Sequence, residues 1–168
     1  MSTKIFCDIA DLSLIKKFNK KKIVKGFTTN PSLMRKAGVD NYESFSKKVL
    51  EIIGEKPISF EVFADEFEEM ETQAKKISQW GNNIYVKIPV MNSQGIYSFD
   101  LIKRLSESGI KLNITAILTY NQVEQIYNHL DKNIPTIISI FAGRIADTGI
   151  DPIDIMKNSI SLFDKHDK

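Results

Sequence analysis

The sequence has a single cysteine among its 168 residues, together with only 8 glycines and 5 prolines. Cys7 has no second cysteine to pair with inside the chain. A disulfide framework, a Cys-x-x-Cys redox site and a cysteine-rich zinc site are therefore excluded. A lone thiol in a chain of this size is typical of a reducing compartment.

Long hydrophobic runs are also missing. The longest apolar stretches, such as 134–141, fall far short of the ~20 residues that a helix needs to cross a bilayer. The amino-terminal stretch reaches Asp8 before any signal-peptide-like apolar region forms. We therefore expect a cytoplasmic protein with no membrane contact.

Neither sign of charge dominates, because 23 Lys and Arg residues oppose 21 Asp and Glu residues, for a net charge of +2. The one concentrated basic stretch, Lys20 to Lys22, lies beside Asn and Phe in a short segment. Such a tract is more typical of a solvated loop than of a nucleic-acid contact. No nucleic-acid partner is expected.

Six short β-branched or aromatic runs predict six β-strands, each followed by a segment with helical spacing. The predicted strands are Lys4–Cys7, Ile23–Thr28, Ile58–Phe63, Ile84–Pro89, Lys111–Ile114 and Pro135–Ile140. The predicted helices are Leu12–Phe18, Tyr42–Ile53, Phe67–Trp80, Tyr97–Ser108, Val123–Leu130 and Ile153–Phe163. Capping-box spacing at Asp65 with Glu68 and at Thr119 with Gln122, and Asp151 before a proline, mark three helix starts.

Alternating strands and helices without a long linker predict a parallel sheet covered by helices, either an open doubly wound sheet or a closed barrel. No glycine-rich phosphate loop follows the first strand, which argues against the dinucleotide-binding open sheets. Polar residues instead lie at or near the carboxyl ends of the six strands, where a barrel builds its active site. They are Asp8, Asn30, Glu61, Lys87, Asn113 with Thr115, and Ser139.

The length of the chain limits how many strand–helix units of a barrel it can contain. A (βα)₈ barrel typically needs ~250 residues, whereas six strand–helix units use nearly all of these 168. We therefore expect one domain over residues 1–168 with a TIM (βα)₈-type barrel truncated after six units.

Lys87 is the most informative residue, because it lies in an otherwise apolar run fit for a sheet interior. Desolvation can lower a lysine pKa by up to ~3–5 units and yield a neutral amine that attacks carbonyls. A strand-end lysine that extends to solvent is the alternative. Glu61 sits between apolar neighbours, where an unpaired carboxylate is costly.

Three other candidates have equally ordinary alternatives. Asp8 suits a helix cap or a loop as well as a reaction, and Asn30 suits a helix cap as well as a hydroxyl contact. Arg144 suits a phosphate or a surface pair with Asp147. The histidines at 129 and 166 lie away from the strand ends, so no metal site is expected.

Taken together, the motifs resemble the transaldolase family over essentially the whole chain. The matching segments are Phe6–Ala10, Thr28–Leu33, Ser59–Val62, Val86–Pro89, Asn113–Thr115 and Ser139–Asp147. The resemblance implies a barrel enzyme in which Lys87 forms a Schiff base with the ketone of a sugar phosphate. It also implies that no metal or organic cofactor is needed, because the lysine supplies the electron sink.

The resemblance also implies roles for the surrounding residues. Asp8 is implied as the general base, and Glu61 with Thr115 and a water as the proton shuttle of imine formation. Asn30, Asn113 and Ser139 are implied to hold the dihydroxyacetone hydroxyls, Arg144 the phosphate, and Thr29, Ser59 and Phe141 to line the substrate site.

Two residues bear on the reaction type within this family. Fructose-6-phosphate aldolases usually carry Gln where this chain has Glu61, and Tyr where it has Phe141. Transfer to an aldose phosphate, as in the pentose phosphate pathway, is therefore favoured over cleavage that releases dihydroxyacetone. The family's further phosphate ligands follow a seventh strand, so a catalytically incompetent partial barrel that needs a partner chain is the other alternative. Exposed strand edges also lead us to expect a homo-oligomer.

Overall fold

The computed structural model describes residues 3–164. The strands are β1 (Ile5–Asp8), β2 (Val24–Thr28), β3 (Ile58–Glu61), β4 (Ile84–Pro89), β5 (Leu112–Ile117) and β6 (Thr136–Ile140). The helices are α1 (Leu12–Asn19), α2 (Pro31–Lys36), α3 (Tyr42–Ile53), α4 (Phe67–Ser78), α5 (Phe99–Glu107), α6 (Tyr120–His129), α7 (Ala142–Asp147) and α8 (Ile153–Asp164).

The six strands form one parallel sheet in which every strand pairs with the next one along the chain, in the order β1-β2-β3-β4-β5-β6. A doubly wound sheet reverses its strand order, and this sheet does not. Phe6 of β1 and residues of β6 line the same cleft. The sheet is therefore curved, with its two edge strands facing a common space. The predicted TIM-type barrel with six strand–helix units is confirmed.

The two faces of the sheet differ in chemistry because strand residues alternate between them. Phe27 pairs with Ile58, and Phe60 pairs with Val86, on the outer face. All four side chains are buried beneath the helices. The opposite, inner face contains the polar side chains, since Thr28 pairs with Ser59 and Glu61 pairs with Lys87.

Two of the three predicted helix starts are confirmed by side-chain caps. Thr119 and Gln122 form a complete capping box at α6, and Asp151 accepts a hydrogen bond from the backbone N–H of Ile153 at the start of α8. The prediction for Asp65 is wrong, because its carboxylate accepts hydrogen bonds from the backbone N–H and hydroxyl of Ser93. Helix α4 begins after Glu66, which makes no side-chain cap.

Several predicted boundaries shift for local reasons. Tyr97 lies in an antiparallel bridge with Met91, so α5 begins only at Phe99. Strand β5 continues past its predicted end to Ile117 through a bulge. The short helix α7 was not expected from the sequence. Over the part of the chain that the structure describes, every helix is too short or too polar to cross a membrane.

Close contact between β1 and β2 generates a stability prediction. Phe6 pairs with Gly26, and a Cβ atom placed on Gly26 would overlap the Phe6 ring. Gly26→Ala should therefore lower the free energy of unfolding by about 1–3 kcal/mol, the usual range for overpacking. Equilibrium urea unfolding measures this change.

Gly143 provides the matched control, since no atom lies within 4 Å of a Cβ placed there. Gly143→Ala in α7 should leave stability unchanged or raise it by up to about 1 kcal/mol. A second test combines Gly26→Ala with Phe6→Leu, which should recover part of the loss. Equal stability of Gly26→Ala and the wild type would contradict the close packing.

Candidate active site

Three polar residues on neighbouring strands form the centre of the inner face. The register pairs Glu61 on β3 with Lys87 on β4, and Lys87 with Asn113 on β5. Paired positions on adjacent parallel strands point to the same side of the sheet. An amine, a carboxylate and an amide are thus presented side by side.

Lys87 is buried in this row, with 8% of its surface exposed. Its Nζ lies 3.2 Å from Oε2 of Glu61. The adjacent strand residues Val86 and Ile88 are fully buried on the outer face. The alternative of a lysine that extends into solvent is therefore excluded by the structure. A buried ammonium requires an opposite charge nearby, and Glu61 supplies it.

The pKa of Glu61 is raised above its ordinary value of 4.5, chiefly because burial penalises the charged carboxylate. The positive charge of Lys87 pulls that pKa back down, and the negative charge of Asp8 adds to the rise. Asp8 therefore lies close enough to Glu61 for the two carboxylates to repel. A carboxyl with a raised pKa holds its proton at higher pH than an exposed glutamate.

Asp8 lies at the mouth of the inner face, at the carboxyl end of β1, and is exposed. Its carboxylate accepts a hydrogen bond from the Thr28 hydroxyl at 2.8 Å and one from the Asn30 amide at 3.3 Å. Both donors come from the end of β2. Two neighbours therefore fix the orientation of Asp8 while its surface stays accessible.

Asn30 combines the two roles that the sequence left open. Its side-chain oxygen accepts a hydrogen bond from the backbone N–H of Leu33 at 2.9 Å and so caps α2. Its amide nitrogen is the donor to Asp8. The cap thus fixes the amide in the orientation that faces Asp8.

A second polar group lies beside the ion pair. The Asn113 amide donates a hydrogen bond to Oγ of Ser59 at 2.9 Å, and both residues are buried. Oδ1 of Asn113 and Oγ1 of Thr115 are buried with no hydrogen-bond partner among the described residues. Buried polar atoms normally have partners, so these two oxygens suit a ligand that donates or accepts hydrogen bonds.

Thr29 differs from its neighbours at the end of β2. It is buried and alternates with Thr28 and Asn30, which puts it on the side of Phe27 rather than of Asp8. Its hydroxyl also has no hydrogen-bond partner among residues 3–164. The contact of Thr29 with substrate stays a prediction.

The β6 end of the site is more open. Ser139 lines a cleft together with Thr28 and Asn113, and Phe141 immediately precedes α7. Arg144 is exposed and lies 3.7 Å from Asp147. Within the described residues, no ion pair or hydrogen bond joins Arg144 to the Lys87 group, so the surface-pair alternative describes its present contact.

Three residues that the sequence did not single out shape the site. Thr28 holds Asp8. Tyr42, the first residue of α3, donates its hydroxyl to the backbone oxygen of Glu61 at 2.9 Å. Ala116 has a φ of 61°, in the left-handed region that costs non-glycine residues about 1–2 kcal/mol.

The unusual conformation of Ala116 has a structural consequence. It lies in the bulge where the register with β6 shifts between Ile114 and Ile117. The extra residue lets both isoleucines remain buried on the outer face while Thr115 stays buried beside Asn113. No composition signal marks this bulge, because alanine rarely adopts such a φ.

The predicted absence of a metal or organic cofactor stays a prediction. Among the described residues, no group of three or more His, Cys, Asp and Glu side chains could hold a metal ion. His129 bonds to the backbone of its own helix through Nδ1, and residue 166 lies outside the described residues. What the site offers is an amine, two carboxylates and several neutral hydrogen-bonding groups.

Burial of Glu61 predicts the sign of a pH effect on stability. Because its pKa in the folded chain lies above 4.5, the folded state binds the proton more tightly than the unfolded state does. The contribution of Glu61 to the free energy of unfolding is therefore full at low pH and is lost as pH rises through the raised pKa. Urea unfolding of the wild type and Glu61→Gln at a series of pH values measures it.

The expected result is that the stability of the wild type relative to Glu61→Gln falls as pH rises above 4.5. Glu55→Gln, at an exposed position, serves as the control and should show no such fall. A relative stability that increases with pH over this interval would contradict the pKa direction.

Comparison with known proteins agrees with the geometry. Residues 5–168 match the model of the Transaldolase/Fructose-6-phosphate aldolase family. A "Probable transaldolase" of Streptococcus equi subsp. zooepidemicus is 37% identical over 161 residues, which cover 96% of this chain and 71% of the relative.

Two further relatives come from other organisms. A "Probable transaldolase" of Dehalococcoides mccartyi is 32% identical, with 97% of this chain and 72% of the relative covered. One of Methanococcus maripaludis is 37% identical, with 95% and 70% covered. The family match spans the inner-face row and both edge strands, and on that evidence the chain belongs to the transaldolase/fructose-6-phosphate aldolase family.

Proposed function

We propose that this chain is a transaldolase, which transfers a dihydroxyacetone unit from a ketose phosphate to an aldose phosphate through an imine on Lys87. The observation that carries the proposal is the buried Lys87 amine, 3.2 Å from the Glu61 carboxyl on a polar inner face. An imine-forming lysine needs a group beside it that can move protons, and Glu61 is that group.

Imine formation is the first step. Lys87 first passes its ammonium proton to the neighbouring Glu61 carboxylate. The resulting neutral amine attacks the ketone carbon, and a proton moves from nitrogen to oxygen, so that the new carbon–nitrogen bond leaves a hydroxyl on that carbon. Protonation of the hydroxyl lets it leave as water and yields the protonated imine. Burial raises the pKa of Glu61, which favours a carboxyl that can both take up and give back a proton. Glu61, with Thr115 and a water, is therefore assigned this transfer.

Carbon–carbon cleavage follows. Asp8 takes a proton from the substrate hydroxyl, a carbonyl forms there, and the electrons of the breaking bond move into the imine. The aldose phosphate leaves and a nucleophilic enamine remains on Lys87. Attack of the enamine on an acceptor aldehyde reverses these steps, and hydrolysis frees the lysine. The accessible surface of Asp8, oriented by Thr28 and Asn30, suits a base at the mouth of the site.

Hydroxyl and phosphate groups of the substrate require further contacts. Asn30, Asn113 and Ser139 are proposed to hold the hydroxyls, and the unpartnered Asn113 oxygen supports this role. Arg144 is proposed to bind the phosphate by turning from its 3.7 Å contact with Asp147. Ser59 and Phe141 complete the proposed substrate site. Thr29 lies on the side of Phe27, so its proposed contact with substrate would require a change in its position.

Transfer is preferred over simple aldol cleavage on two grounds. Glu61 and Phe141 are the transaldolase-like residues at the two positions that distinguish the subgroups. The three relatives described above all have the name "Probable transaldolase". Sugar phosphates are thus the proposed ligands, in the cytoplasm and within the pentose phosphate pathway, with no nucleic-acid partner and no metal or organic cofactor.

Borohydride trapping tests the imine. Reduction in the presence of fructose 6-phosphate should add a dihydroxyacetone-derived mass to Lys87, because borohydride converts the imine into a stable secondary amine. Peptide mass mapping locates the adduct, and exposed Lys25 on β2 is the internal control that should stay unmodified. Folded protein with Lys87 unmodified would reject the imine mechanism and favour the incompetent partial barrel.

Product analysis separates transfer from cleavage. With fructose 6-phosphate alone, less than one mole of free dihydroxyacetone should form per mole of enzyme, because the enamine on Lys87 reacts further only with an aldehyde acceptor. Adding erythrose 4-phosphate should then release glyceraldehyde 3-phosphate over many turnovers. Steady accumulation of dihydroxyacetone without an acceptor would instead identify a fructose-6-phosphate aldolase.

A further inference from the structure

We infer that Tyr42 is a positioning residue for Glu61, because its hydroxyl supplies a hydrogen bond that the neighbouring strand cannot make and so fixes the end of β3 beside Lys87. Tyr42 bonds to the backbone of Glu61 and acts on the reaction only through that residue. The inference rests on the proposed function, in which Glu61 transfers the protons of imine formation.

The backbone of β3 lacks a hydrogen bond to β2 at the site. The N–H of Thr29 donates to the carbonyl oxygen of Ser59 at 3.1 Å. Parallel strands repeat such bonds at even spacing, every second residue, so the next bond in this series would join residue 31 to the carbonyl oxygen of Glu61. Residue 31 is a proline at the start of α2 and has no backbone N–H. The Glu61 oxygen therefore depends on another donor.

Tyr42 supplies that donor. Its hydroxyl donates to the carbonyl oxygen of Glu61 at 2.9 Å. The N–H of the same peptide group belongs to Val62 and donates to the carbonyl oxygen of Lys87 at 3.2 Å. The peptide group that follows Glu61 is thus held at both ends, and its bond to Lys87 runs beside the contact between the two charged side chains.

Aromatic packing fixes the ring of Tyr42. Its centroid lies 6.0, 4.8 and 5.2 Å from the ring centroids of Phe60, Phe63 and Trp80, each time in an edge-to-face arrangement. Such pairs favour a defined ring geometry. Phe60 and Phe63 lie one residue before and two residues after Glu61. The ring therefore packs against the same segment that its hydroxyl holds.

Helix α3 places Tyr42 at this position. Tyr42 is the first residue of the helix, and Asn41 caps the helix by accepting a hydrogen bond from the backbone N–H of Ser44 at 2.8 Å. Burial, followed by the negative charge of Glu61, raises the pKa of Tyr42 above its ordinary value of 10.0. The hydroxyl consequently keeps its proton and remains a donor at neutral pH.

The kinetics of Tyr42→Phe test the positioning role, because this change keeps the ring and removes only the hydroxyl. Rapid borohydride quenching measures how fast the fructose 6-phosphate adduct forms on Lys87. Tyr42→Phe should slow this step at least about fivefold while KM changes less than about twofold, since Tyr42 bonds to the backbone and not to substrate. In a Glu61→Gln background the same change should slow the step by less than about twofold.

Tyr120→Phe is the matched control. Tyr120 is likewise the first residue of its helix, α6, and its hydroxyl interacts with Glu124 rather than with the site. This variant should form the adduct at the wild-type rate. A general packing role for Tyr42 would slow adduct formation equally with Glu and with Gln at position 61. That result would overturn the inference and leave the proposed function in place.

Amide exchange provides a measurement that needs no activity. In Tyr42→Phe the N–H of Val62 should exchange at least about tenfold faster. The N–H of Val90, which donates to Thr115 at the corresponding end of β4, should keep its wild-type rate. If the wild type forms no Lys87 adduct, the proposed function fails, and selectively faster exchange at Val62 still supports the hold on Glu61. Unchanged exchange at Val62, or equal acceleration at Val62 and Val90, would overturn the inference in either case.

Discussion

The ion pair between Lys87 and Glu61 is the interaction on which the rest of this site depends. Two charges on neighbouring strands, with side chains only 10% and 18% exposed, are tolerated because each is the other's partner. The residues around the ion pair are also polar and form hydrogen bonds with one another. Asn113 and Ser59 bond to each other beside the pair, and Asp8 is fixed at the mouth by Thr28 and Asn30. The ion pair and its hydrogen-bonded neighbours therefore supply both the charges and the polar groups of the inner face.

The sheet separates stability from function by its two faces. Apolar outer residues such as Phe60 and Val86 are fully buried beneath helices and supply most of the hydrophobic stabilisation. The inner face is consequently free to present charged and hydrogen-bonding groups. At the edge of the sheet, β6 and α8 retain apolar surface that the described chain does not cover.

Much of this could be predicted from the sequence, because strand and helix periodicities fix the barrel class and strand-end positions fix the candidate residues. The bounds of α3 and the capping box of α6 follow from local signals alone. Asp65 was misassigned because its partner, Ser93, comes from a distant loop. The bulge at Ala116 was invisible because tertiary pairing with β6 imposes it. The exposed position of Arg144 depends on α7, a helix of six residues that periodicity cannot detect.

A double-mutant cycle on the pair tests the central claim most directly. It compares the free energies of unfolding of the wild type, Lys87→Met, Glu61→Gln and the double variant at neutral pH. Lys87→Met should cost about 3 kcal/mol, because it leaves a buried carboxylate without its partner. The double variant should cost less than the sum of the single variants, by about 1 kcal/mol or more. Additivity within about 0.5 kcal/mol would contradict the account, since it would mean that Lys87 and Glu61 do not interact.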